Sequence, residues 1–206
     1  MKIKMFRLTE SFMKLGRFAL RIECLLIAVL LLMGAGPSRA VAQEQHSQAH
    51  GHESQQSNAL VQAVREATDR FQNVSAAQAA GYYLQFGCVS GPDSGAMGMH
   101  FVNNALVADG ILDVTRPEIV IYEPLPNGGL RLIGADYLVL ADAWNATHTA
   151  PPQLMGQLFQ LFDSPNRFGL PAFYSLHVWA WKNSPTGAFV NWHANVSCNA
   201  FSGQVQ

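Results

Sequence analysis

Cysteine is scarce in this chain, three in 206 residues, and none of the three belongs to a C-x-x-C pair. That removes the common spacing of a thiolate metal site. Also missing are the H-E-x-x-H of zinc proteases, the G-x-S-x-G elbow of α/β-hydrolases and any glycine-rich phosphate loop. No internal repeat and no second domain show themselves. The apolar run near the start, Cys24 to Gly36, has 13 residues, short of the roughly 20 that cross a bilayer. Activity therefore has to be sought in scattered residues rather than in a motif.

A positive leader stands before that run: Lys2, Lys4, Arg7, Lys14, Arg17 and Arg21. Ala40-Val41-Ala42 follows as a small-x-small signal, and the parts together read as a signal peptide, residues 1–42, cleaved after Ala42. An uncleaved anchor is the alternative reading. Cys24 follows Arg21-Ile22-Glu23, which lacks the small and apolar residues that precede a lipidated cysteine, so a lipid anchor is not expected.

Export to the periplasm or beyond decides several further points. Cleavage leaves 164 residues, the size of one ordinary domain, with six basic and twelve acidic residues and a formal net charge of −6. No basic patch survives, which argues against nucleic acid and anionic membrane surfaces as partners. No stable membrane span is expected after cleavage. Only Cys88 and Cys198 remain, and in an oxidising compartment they are expected to form a disulfide. It would close a loop of about 110 residues and stabilise by on the order of 4 kcal/mol in the chain-entropy picture.

Residues 43–57, QEQHSQAHGHESQQS, have no apolar periodicity and read as a disordered linker rich in His, Gln and Ser. His46, His50 and His52 there could pick up copper or zinc loosely. Residues 58–206 read as a single domain. Leu60, Val64, Ala67 and Phe71 form one stripe of a helix, and Ser75 with Gln78 makes a capping box for a second, stopped by Gly81. Strands are expected at 82–86, 97–102, 118–123 and 130–140, the last two joined across Pro126-Asn127-Gly128-Gly129. A long segment, 141–172, contains a helix-like stretch at 153–162 and has the length of a lid, a site-forming loop or a helix over a sheet face. A hairpin is expected over 173–198, with His177, Trp179 and Trp181 on one face of its first strand. The class is α+β: N-terminal helices packed on a curved antiparallel sheet, open to partial closure as a barrel.

Four polar groups fall inside otherwise apolar strands: His100, Glu123, Asp136 and His177. Burying a carboxylate unpaired costs several kcal/mol, so such groups are paired, metal-bound or at a site. Two imidazoles and a carboxylate suit a divalent metal, Zn, Cu or a facial-triad Fe. His100, Glu123 and His177 are the expected ligands, and Asp136 the partner that orients a ring nitrogen. Satisfied core groups without a ligand are the competing reading. Gly98 leaves space beside His100 for a ligand or a neighbouring backbone. Ser90, Ser94 and Ser175 are the serines available to a Ser-His-Asp arrangement.

The runs MGMHFVN (97–103), PEIVIYEP with RLIGADY, and HVWAW to VSC (177–198) resemble a family of uncharacterised exported bacterial proteins. Its members share M-G-x-H-F/Y-x-N, P-E-x-x-x-Y-E-P and a terminal H-V-W-x-W segment ending in V-S-C. The likeness covers most of residues 59–198 and implies a secreted or periplasmic bacterial protein without implying an activity. Carried over by position, the motif residues are His100, Asn103, Glu118, Glu123, His177, Trp179, Trp181 and Cys198. Asp136 stands where the family commonly has Glu, and His193-Ala194 where it has Asn-Pro. The expected ligand pocket is thus lined by His100, Asn103, Glu123, Asp136, His177, Trp179 and Trp181, for a small molecule or a metal. A metal-dependent hydrolase or oxygenase, with Glu123 as general base, and a structural envelope or interaction protein are the other two functions to weigh.

Overall fold

The computed structural model describes Gln55, residues 57–91 and residues 93–206. The leader, its cleavage site, His46, His50 and His52 lie outside these residues, as does the 43–57 linker apart from Gln55 and Ser57, both helical. No helix among the described residues is long and apolar enough to cross a membrane.

Helix α1 (57–68) runs into a 3-10 turn, Asp69–Gln72. Its buried stripe is Leu60, Val64 and Thr68, continued by Phe71. Thr68 takes the place expected for Ala67, and its hydroxyl is satisfied by donating to the Val64 carbonyl at 2.6 Å. Helix α2 (Val74–Ala79) is capped by Asn73, whose Oδ1 accepts from Ser75 N at 2.9 Å. The box expected from Ser75 and Gln78 does not form, because Asn73 reaches the free backbone N–H first. Gly81, at φ +92°, ends the turn as expected.

Six antiparallel strands follow: β1 (Tyr83–Gly91), β2 (Gly95–Val102), β3 (Ile119–Pro124), β4 (Leu130–Leu140), β7 (Gln160–Phe162) and β8 (Phe173–Val178). Their order across the sheet is β1-β2-β3-β4-β8-β7, and the sheet curls into a half-barrel. The expected curved α+β architecture is the observed one. Curvature comes from three register breaks: Phe86-Gly87 in β1, Met97 in β2 and Ile133 in β4 each stand opposite no partner. Extra residues on one strand bend it and increase its twist. Glycine is required where the backbones then close up. A Cβ on Gly134 would lie 2.5 Å from the Val178 carbonyl oxygen, and one on Gly98 (φ +88°) 2.7 Å from that of Tyr122. The space beside His100 is therefore filled by neighbouring backbone.

Alternation along β4 and β8 sorts two environments. Ala135, Tyr137 and Val139 with Tyr174, Leu176 and Val178 pack against Leu60 and Val64 of α1. Asp136, Leu138 and Leu140 with Phe173, Ser175 and His177 face the other way. Short helices α3 (Asn104–Asp109) and α4 (Ala141–Asn145) follow β2 and β4.

Two expected elements are replaced. Residues 153–162 are no helix: β5 (Gln153–Leu154) and β6 (Gln157–Leu158) form a minimal hairpin, and β7 pairs with β8. Met155 and Gly156, at φ +47° and +85°, make the tight turn that right-twisted hairpins favour. The helical spacing of Leu154, Leu158 and Leu161 marks no buried stripe, since Leu158 and Leu161 are exposed. The 173–198 hairpin stops at its first strand. Past Val178 the N–H groups of Trp181 and Lys182 both turn to the carbonyl of the bulged Ile133, and Trp179 N donates to Ala188 O. The bulge thus captures the chain before a second strand can pair. Residues beyond it hold to the fold through an Ala96–His193 bridge and a Cys88–Cys198 disulfide, Cα atoms 5.8 Å apart and 110 residues apart in sequence.

Replacing both Cys88 and Cys198 by alanine should lower the unfolding free energy by about 4 kcal/mol or somewhat less, read from urea denaturation. A midpoint equal to that of the unaltered oxidised protein would contradict this placement.

Candidate metal centre

Concave faces of a curled sheet converge, and here they bring three strands to one point. His100 comes from the middle of β2, Asp136 from β4 and His177 from β8. Asp136 and His177 are direct cross-strand partners. His100 reaches them over β3, where its partner Ile121 faces the side-chain-free Gly134 of β4. The Nε2 atoms of His100 and His177 are 3.2 Å apart. His177 Nδ1 lies 3.5 Å from Asp136 Oδ2, and one ligand atom from each of the three residues fits within 4.8 Å. All three residues are buried.

Tutor to the proton positions are the fixed neighbours. His100 Nδ1 is 3.3 Å from the Gly98 carbonyl oxygen, which only accepts, so His100 carries its proton on Nδ1 and offers a lone pair at Nε2. Without another cation, His177 must then donate from Nε2 to His100. That leaves His177 Nδ1 as a bare lone pair facing a carboxylate, beyond good hydrogen-bond distance. It is a buried polar atom with no partner. Asp136 Oδ1 is occupied, accepting from Ser175 Oγ at 2.7 Å.

Burial also sets the charges. It holds His100 at about 4, with His177 adding to the shift, and His177 at about 3, both below the ordinary 6.5. It pushes Asp136 up to about 6, against the pull of His100 and the Ser175 hydrogen bond. At neutral pH the cluster is two neutral imidazoles and a carboxylate, the protonation state in which these side chains bind metals.

A pocket opens over the cluster. Met97, Ile119, Leu138, Phe162, Phe168 and Phe173 are among its walls, and His100, Asp136, His177 and Ser175 supply its polar groups. Its free volume of about 30 Å³ is room for a water molecule or two. Phe162 and Phe168 come from the long 141–172 segment, which is thus site-forming in its second half.

Of the residues expected in the pocket, Asn103, Trp179 and Trp181 are not among its walls, and neither is Glu123. Its Oε1 accepts from Lys182 Nζ at 2.6 Å and its Oε2 pairs with Arg131. Burial raises its pKa, but the hydrogen bonds from Lys182 and Arg131 prevail and hold it below the usual range. Asn103 caps α3, accepting from Ala105 N and Leu106 N, and donates to Ala80 O. Trp179 stands beside His177, ring centroids 5.8 Å apart, with its indole N–H on Val190 O. Trp181 donates to Thr68 Oγ1 at 2.9 Å. Glu118 is buried at the other side of Asp136's strand, its Oε2 accepting from Leu138 N, and burial pushes it up to about 8. Ser175 is committed to Asp136, not to an imidazole, so the Ser-His-Asp order is not formed. The phenylalanine walls were not foreseen; the aromatic density of 159–173 was the one available signal.

No protein-family model, no curated protein and no solved structure matches this chain.

A buried neutral histidine contributes stability that is complete above its unfolded pKa and is lost as pH falls toward its folded one. Asp136 and Glu118, both raised, act in the opposite sense, so only a difference measurement isolates the imidazole. In EDTA, the stability difference between the protein and His177→Asn should fall by about 1 kcal/mol per pH unit from pH 6.5 to 4.5. Above pH 7.5 it should be flat. Urea titrations at each pH read it, and a difference independent of pH would place His177 in water.

Proposed function

We propose that this protein is exported and binds one divalent transition metal, zinc foremost, through His100 and His177, with Asp136 orienting His177. The observation that carries the reading is the orphaned Nδ1 of His177. A metal accepting both Nε2 lone pairs would displace the proton that His177 otherwise holds there. That proton then belongs on Nδ1, where Asp136 Oδ2 can accept it once their 3.5 Å separation shortens, and each polar group of the cluster gains a partner. Tetrahedral zinc with bonds of about 2.0–2.1 Å needs ligand atoms about 3.3 Å apart; the two Nε2 atoms stand 3.2 Å apart.

Each ligand already has the outer contact that fixes ring and tautomer in metal sites. His100 has Gly98 O, His177 has Asp136, and Asp136 has Ser175. Asp136 Oδ2 stands on the Nδ1 side of the His177 ring and the ion would sit on the Nε2 side, so Asp136 takes the orienting role expected of it and not the ligand role expected of Glu123. Two imidazole donors leave positions on the ion open to solvent or a ligand, unlike the closed set of a structural zinc site. Copper and iron suit the same donors less specifically. The hydrolase reading with Glu123 as base has no support in the geometry, because that carboxylate is engaged by two cations. Export rests on the leader, supported by the disulfide.

Elemental analysis of the purified full chain should give close to one zinc per molecule. The His100→Ala/His177→Ala variant should have none, and Asp136→Asn should bind zinc about 10- to 100-fold more weakly. Glu123→Gln should keep its metal and lose stability. Metal-free native protein that cannot be loaded with zinc, with histidine variants altered in stability alone, would make the cluster a structural one.

A further inference from the structure

The pocket over the cluster is not alone. A second, outer chamber of about 110 Å³ adjoins it, with Gln85, Asn104, Val107 and Leu140 on its far side. Phe86, Val102, Ile119, Leu138 and Leu170 border both spaces. The outer chamber is comparable with the ~150 Å³ apolar cavity that takes a benzene molecule. Its lining is hydrocarbon apart from Gln85 and Asn104 at the α3 side, and the inner one ends on imidazole and carboxylate. Among the residues that border both is Phe86, one of two non-glycine residues described with positive φ, at +64°. A bulky side chain seldom adopts that conformation. Here it aims the ring into the shared wall, 5.5 Å from the ring of Phe168.

Resting on the metal reading above, we infer that the two chambers take one small, uncharged alcohol, of the size of phenol. Its hydrocarbon lies in the outer chamber, and its hydroxyl faces His100 and His177 at the metal's open position. Three features of the lining select this class. The outer volume and composition favour an apolar body of about one ring. The inner volume, about 30 Å³, admits a polar head no larger than one or two waters. Asp136 at that end disfavours a carboxylate head, and the hydrocarbon surroundings disfavour an ammonium one. A hydroxyl can ligate a metal through oxygen and donate its proton to the carboxylate, and it brings no net charge into the pocket.

Cobalt(II) in place of zinc gives the test a direct readout at the metal. Adding phenol to the cobalt-loaded full chain should shift the visible cobalt bands saturably. Val107→Phe narrows the outer chamber from α3 without touching the cluster, and Asn104→Phe, at an exposed position, does the same from its rim. Each should weaken the phenol response at least tenfold while cobalt content stays that of the unaltered protein. Benzoate should shift the bands far less than phenol. Cobalt bands that phenol leaves unchanged would overturn this inference alone, as would variants responding like the native protein or a benzoate response equal to that of phenol. Native protein that takes up no cobalt would overturn the metal reading and this one together.

Discussion

In a flat sheet, residues on β2 and β8 would stand about 14 Å apart, because two strands lie between them and neighbours are about 4.8 Å apart. The Nε2 atoms of His100 and His177 are 3.2 Å apart. Curl closes that distance. The bulged Ile133 bends β4 against β3, and Gly134 beside it carries no side chain to hold the histidines apart. A residue with a Cβ at 134 would collide with the Val178 carbonyl and push β8 away, and the cluster would open with it. The site is therefore a consequence of backbone geometry at a position two residues before Asp136, and of close packing on both faces of β4.

Bringing these groups together costs desolvation three times over, and the protein offsets only part of it. Gly98 O and Ser175 Oγ each satisfy one member. The two imidazoles can share one proton, and the last ring nitrogen then has nothing to bond. Purely structural polar clusters are ordinarily complete, since leaving a buried group unmade costs about 1–3 kcal/mol. Here one ring nitrogen beside a pocket is left without a partner. The ionic group formed by Glu123, Lys182 and Arg131 makes the contrast: both oxygens of its one carboxylate are engaged by a cation, and it ties the β3–β4 hairpin to the C-terminal segment through Lys182 and Asn195 O.

Much of the sheet was legible in the sequence because apolar residues at alternate positions mark buried strands wherever they lie. The 130–140 strand has the bounds read from its pattern, and the opposition of His177 to Tyr174 and Leu176 holds in the packing. Which carboxylate joins the histidines was not legible. Glu123 shares a face with Ile119 and Ile121, and as a carboxylate inside an apolar strand it is the expected third ligand. The register break after Ile121 shifts it onto Arg131, and a bulge leaves no mark in a single strand's alternation. The same bulge explains the missing hairpin, since its free carbonyl diverts Trp181 and Lys182. At 153–162 the leucine spacing was helical, but Met155-Gly156 took a left-handed turn that only the surrounding sheet edge selects.

The C-terminal segment connects stability to the pocket. Cys88 anchors it by the disulfide, and the last residues run beside β1, with Cys88 N donating to Gln204 O and Gln206 N to Cys88 O. Gly87 lies directly beneath this tail: a Cβ there would meet Gln204 O at 2.0 Å. The tail thus fits against the very bulge whose other residue is Phe86, and Phe86 is one of the residues that border both chambers. Stapling the end of the chain to β1 therefore does more than restrict the unfolded state. It holds a bulky residue that borders both chambers in a conformation it would not keep alone.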